Sequence, residues 1–348
     1  MKKRFILSIL LTQIITLAAL GKNPVINVSA KGETKTLQEA RDKARELRSN
    51  GSLEDITIIL HDEIYPLNET LRFDCRDSSP KGAKTIFRAV PGNNPVISGG
   101  VKLTQWEQTE LLGGKIWMTK VPWATGDAFF HCLYDGSTRL PRARSKQFRI
   151  KGVDTHKYAN KLEYRTQFNH HNSTIKPWEN LCDIELYGQP TRKWLVNYLG
   201  IKSVDVQKQI TTLEIPATYT MSGTWQVENC IDHLDQPGEW ALNSKEGTLY
   251  YYPPSGEPGE NIIAPKLNEL ISIEGITDPT LEGSLEKPVN GIVFDGLTFS
   301  YADRAKWSRS DAGLQHDWNM FDKATALVRL RSAEHCDCLL YTSDAADD

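Results

Sequence analysis

The sequence predicts an all-β chain: stacked parallel coils with an antiparallel β-sandwich set into them. Three observations carry that prediction. Short runs rich in β-branched residues, punctuated by Gly, Pro, Asn and Asp, open and close the chain. A long middle stretch alternates apolar and polar residues with period two, as strands with one buried face do. A single segment near the start has good helical spacing, and it is placed where a stack of coils needs a cap. The 348 residues are 39% hydrophobic and 24% charged, enough for one large or two medium globular domains. A net charge of −3 gives no sign of a nucleic-acid partner or an acidic membrane surface.

Taken in order, the chain opens with Lys2, Lys3 and Arg4, then an apolar run from Phe5 to Leu20. Ala19-Leu20-Gly21 has the small-x-small form of a cleavage site, so residues 1–21 read as a secretory signal peptide. The run falls short of a spanning helix, so a secreted or periplasmic protein is expected, with no membrane partner after cleavage. Residues 22–105 read as the cap and first coils. Leu37, Ala40, Ala44 and Leu47 share one face of a helix from Thr36, and Thr36 with Glu39 suggests a capping box. Strands follow at 55–60, 70–73, 85–89 and 95–100.

Residues 106–264 read as the inserted sandwich. Alternation marks strands at 115–120, 130–134, 183–186 and 223–228, and Asp135-Gly136 marks a turn. Asp235 to Pro254 is the plainest element, a hairpin with strands 239–242 and 248–252. Its Gly247 suits the positive φ of the turn, and its Pro pair ends the second strand. The stretch 156–172 is polar and aperiodic, which suggests a long loop or a short helix. Coils return over 265–337, with rungs at 270–275, 290–300 and 324–332 and a long loop from Tyr301 to Lys323 between the last two. Residues 338–348 fit no rung.

Six cysteines contain no CxxC pair, so a zinc site is not expected. Export permits disulfides, Cys182 with Cys230 among them, and buried free thiols are an equal alternative. His170 and His171 are adjacent and point to opposite faces of a strand, which argues against joint metal ligation. Arg139, Arg142 and Arg144 read as a solvated or salt-bridged strand edge.

Several segments together resemble glycoside hydrolase family 141. They are Asn94 to Gly100, Leu133 to Gly136 with Arg139, Arg142, Ala143 and Arg144, the Pro237 to Pro254 hairpin, Phe294 to Phe299, and Gln315-His316-Asp317-Trp318. The hairpin and the QHDW loop are the most distinctive of these. The resemblance runs from the cap helix to Asp337. It implies a right-handed parallel β-helix of the pectate-lyase-like type with an inserted β-sandwich. It also implies hydrolysis of plant cell-wall polysaccharide, xylan or fucosylated pectic side chains being known substrate types. The final stretch, Cys338 to Asp348, resembles translated sequencing-adapter read-through, so the natural chain is expected to continue past Asp337.

Glycoside hydrolysis needs two carboxyl groups, one of them with a raised pKa. The late loop has the richest inventory for a polysaccharide partner. Trp307 and Trp318 offer ring faces for sugars, Arg304 and Gln315 offer donors for hydroxyls, and His316 with Asp317 suggests a substrate-holding or acid–base pair. Asp317 is the one catalytic candidate here. The resemblance places the family's catalytic acids on coils beyond Asp337, which would leave this stretch inactive by itself. No cofactor is expected. Ca²⁺ enters only under the alternative of a polysaccharide lyase, which the absence of a dense Asp cluster in the rungs disfavours. A non-catalytic glycan-binding protein on the same scaffold is the remaining alternative.

Overall fold

The computed structural model describes residues 23–150, 163–171, 174–189, 196–217, 220–278, 280, 283–304, 326–339 and 342–343. These are mostly strands with few helices, and the chain is all-β. Among the described residues three parallel sheets have three or more strands, and the chain visits them in turn. The first contains Val25–Val28, Ile56–Leu60, Thr85–Ala89, Ile292–Asp295 and Asp337–Leu339. The second contains Ile64–Pro66, Val96–Ser98, Thr298–Ser300 and Thr342–Ser343. The third contains Leu71–Phe73, Ile271–Glu274 and Val328–Arg331. The second, third and fourth rounds of the chain each lay one strand on each sheet in parallel register, as Ile292–Asp295 does on Thr85–Arg88.

Register turns sequence into core. Ile58, Phe87 and Phe294 are directly paired across neighbouring strands, and all three are fully buried. Phe87 and Phe294 lie 5.5 Å apart, and Phe73 meets Phe87 edge-on at 5.5 Å from the next sheet. Edge and tilted contacts of this kind add to the area that aromatic rings bury. The first coil is closed by the helix Leu37–Ser49, which buries Leu37, Ala40 and Ala44. Thr36 accepts from the Glu39 N–H, as a helix N-cap should, but Glu39 reaches back to the Lys35 N–H rather than to Thr36. Arg45 on the helix ties down the buried Asp77, with Nε to Oδ1 at 2.7 Å.

Antiparallel pairing fills the span from Gly100 to Pro265. Gly100–Lys102 and Ile262–Pro265 pair with each other, at the points where the chain leaves and rejoins the coils. A six-stranded antiparallel sheet includes Phe148–Ile150, Gly223–Glu228, Glu185–Gln189 and Asn197–Asp205. A four-stranded one holds the hairpin, with Trp240–Asn243 on Thr248–Tyr251 and Trp117–Lys120 beyond it. Trp240, Leu242, Leu249 and Tyr251 are buried there, and Gly247 has φ 58. The alternation at 130–134 is misleading. Phe130, His131, Cys132, Leu133 and Tyr134 are all buried, and only Tyr134–Asp135 is a strand. A connector covered on both sides has no solvent face, and polar His131 is held inside by partners rather than by alternation. In the polar stretch a four-residue helix, Glu163–Thr166, leads into the strand Gln167–Asn169. All six cysteines are free thiols, so Cys182 and Cys230 form no bridge.

The corner where the antiparallel span leaves the coils is built by Gly99 and Gly100. A Cβ on Gly99 would sit 2.5 Å from Leu270 Cδ2, and one on Gly100 would sit 2.7 Å from Tyr301 Cβ. No larger residue fits, because the outgoing chain, the returning chain and the next coil converge there. The Gly99 carbonyl accepts from the Lys266 N–H at 2.8 Å, which closes the corner.

Candidate functional site

The long loop that the sequence nominates leaves the fourth coil just after Thr298–Ser300. This is the corner at which the antiparallel span leaves the third coil after Val96–Ser98, and the two strands pair in register. Trp307, Gln315, His316, Asp317 and Trp318 lie outside the described residues. Asp303 and Arg304 at the loop's root are described, and they enter a buried polar seam against the antiparallel span.

Asp303 is fixed first by its backbone, whose N–H donates to the Leu267 carbonyl at 2.8 Å. Its carboxylate accepts from the His131 backbone N–H at 2.9 Å and meets His131 Nδ1 at 2.8 Å. Arg304 donates twice to Glu185, at 2.6 and 2.8 Å, and its guanidinium lies 4.7 Å from the Tyr198 ring centroid. Glu185 also receives Arg142 at 2.5 Å, and Arg142 reaches Glu228 at 3.2 Å. Arg144 pairs with the other oxygen of Glu228 and lies over Tyr187, 4.4 Å from its centroid.

Strand geometry assembles this seam. Glu185 and Glu228 are direct cross-strand partners in the six-stranded sheet, as are Tyr187 and Gln226, and Tyr187 and Tyr198. Such residues project from the same face. The opposite face buries Leu186, Leu199 and Val227 in an apolar core. The sheet thus turns Glu185, Glu228, Tyr187 and Tyr198 toward the guanidiniums of Arg142, Arg144 and Arg304.

The electrostatics keep Glu185 and Asp303 ionised. Burial works against the charge on Glu185, but Arg304, Arg142 and His131 outweigh it and hold the carboxyl below its ordinary range. Asp303 is likewise held low, because the His131 donors and Arg304 overcome its burial. Burial pushes the His131 imidazole down, assisted by Arg304, so the ring is neutral near pH 7. Burial pushes the neighbouring Cys132 thiol up to about 11 and the Tyr198 phenol to about 12, so neither is a ready nucleophile. Two described carboxyls are shifted up, both first of all by burial. Asp77 sits under the cap helix bonded to Arg45, and Glu239 caps the backbone of Asp235 and Gln236. Both are structural positions. Glu185 and Asp303 therefore orient and anchor, and neither is poised to donate a proton.

The sequence-predicted residues are thus placed as follows. Arg304 is engaged by Glu185 and Tyr198, so its guanidinium serves the seam. Arg142, read as part of a strand edge, is buried, and Arg144 is its partly exposed neighbour. His170 is buried with Nδ1 on the Thr211 hydroxyl at 2.9 Å, whereas His171 is exposed. Sequence reasoning missed His131, Glu185 and Glu228. The one available signal was the Arg142-Ala143-Arg144 pattern, since paired arginines flanking a buried Ala need carboxylates opposite.

No protein-family model matches the chain, and no curated protein matches it. Among solved structures, one described as a glycoside hydrolase is 23% identical with a TM-score of 0.63, covering 81% of this chain and 51% of its own. The chain thus shares the fold of that hydrolase and spans about half its length. A structure described as XylC in complex with xylose covers 81% of this chain at 12% identity, but its TM-score of 0.27 is too low to support any argument.

Proposed function

We propose that this is a secreted right-handed parallel β-helix protein that acts on polysaccharide as a glycoside hydrolase. Its substrate class is plant cell-wall glycan, xylan or fucosylated pectic chains. The observation that carries this reading is the fold shared with a solved glycoside hydrolase at a TM-score of 0.63. The cap and first coils occupy 22–105, an inserted β-sandwich 106–264, and further coils 265–337. The loop bearing Trp307, Gln315, His316, Asp317 and Trp318 lines the glycan site. The hydrolytic acid pair lies on coils that follow Asp337.

Two points support that last assignment. The chain spans 51% of its neighbour's length, and the seam carboxylates Glu185 and Asp303 are both held below their ordinary range. A general acid requires the opposite environment.

The test is reducing-sugar release from xylan and pectic polymers by a chain extended through the following coils. Release that disappears when a paired Asp or Glu of those coils is replaced supports the reading. Extended protein that releases nothing from a broad glycan panel sinks it. A second reading, glycan binding without turnover, is favoured by the engagement of all the seam carboxylates. It is selected by retention on a glycan column without product.

A further inference from the structure

The seam of His131, Asp303, Glu185, Arg304, Arg142 and Glu228 joins stretches that are far apart in sequence. Asp303 and Arg304 belong to the fourth coil, and the others belong to the antiparallel span. Beside the Gly99–Gly100 corner, a Tyr134 hydroxyl on the Ala302 carbonyl and a Tyr134–Tyr301 ring contact continue the joint. The two parts it joins are each held by apolar cores of their own. The joint between them is mainly ionic.

We propose that this seam is an acid-released latch: near neutral pH it clamps the antiparallel span onto the fourth coil, and mild acid opens it while the coils remain folded. The geometry around His131 carries the idea. Its Nδ1 faces Asp303 at 2.8 Å, its Nε2 faces Glu185 at 3.9 Å, and the Phe129 ring packs edge-on at 4.8 Å. Among the described residues, Arg304 and Cys132 are further charged or titratable groups beside it. Arg142 sits over the far side of Phe129, 5.7 Å from its centroid. Glu185 in turn faces Arg142 and Arg304, and Glu228 faces Arg142 and Arg144. Adding a proton inside such a network leaves an uncompensated charge, which weakens it steeply.

The signs agree. His131 titrates lower in the closed state than in water, so the open state takes up the proton first as pH falls below about 6.5. The closed state then loses ground by up to about tenfold per pH unit. Asp303 and Glu185 are held low when closed, so they add to the loss only in stronger acid, below about pH 4. A step from pH 7.5 to about pH 5 therefore separates His131 from Asp303 and Glu185.

The experiment is amide hydrogen exchange on the whole chain at those two pH values, corrected for intrinsic rates. Peptides covering 129–135, 183–189 and 299–304 are expected to lose about tenfold more protection than those covering 56–60 and 85–89. His131→Asn keeps a donor toward Asp303 without a group that titrates, and it should abolish the difference. His233, half-buried and also lowered, stays in that variant as an internal control. The proposal is overturned if seam and coil peptides fall together or not at all, or if His131→Asn behaves as wild type. Should that variant fail to fold, the wild-type His131 ring is followed by NMR. A ring that titrates together with the exchange change supports the latch, and one that titrates near 6.5 with no change in protection overturns it.

Discussion

The coil interior and the seam are both buried, yet they are held by opposite physics. Phe73, Phe87 and Phe294 repeat one kind of contact from sheet to sheet and from coil to coil. Each ring is stabilised by area removed from water and by close packing, and none depends on a particular partner's charge. The seam contains few repeated contacts. Each guanidinium there has assigned carboxylates, and the strength of the seam depends on those charges staying matched. Apolar stacking tolerates variation in sequence, whereas a charge network specifies one arrangement and fails when one member is removed.

The contrast can be broken most sharply at Phe294. Phe294→Ala leaves a cavity between Phe87 and Phe299, and it should cost about 4 kcal/mol, read from the midpoint of denaturant unfolding. Glu185→Ala should cost about 3 kcal/mol, because it leaves Arg142 and Arg304 buried without their shared carboxylate. If Glu185→Leu restored that stability, the seam would be ordinary packing and the contrast would fail. At the corner between the two regions, Gly100→Ala should cost about 2 kcal/mol through forced displacement of Tyr301. Thr36→Ala removes only a helix cap and should cost about 1 kcal/mol. The same denaturation experiment ranks all four.

The two regions also differ in how far the sequence revealed them. The coils were legible because each rung carries its own local pattern. Ile56–Leu60 and Thr85–Ala89 alternate buried and partly exposed residues along a single strand. The cap helix and the hairpin were legible for the same reason, and the hairpin strands shifted by only a residue. The seam was not legible, because partners such as His131 and Asp303 are 172 residues apart and no local period links them. His131 in particular was hidden inside a run that looks like a strand and is instead a buried connector. Arg304 was selected for its chemistry, but its partner could not be known before Glu185 was placed beside it.

The Gly99–Lys266 hydrogen bond has one more consequence. It sets the departure and return of a very long excursion a single bond apart. To the coil stack the excursion is therefore equivalent to a tight turn, and its length enters only through a closure entropy that grows logarithmically. Such a point tolerates splicing. Material can be gained, lost or exchanged between lineages there without disturbing the register of the rungs on either side, and a laboratory graft should enter at the same two residues.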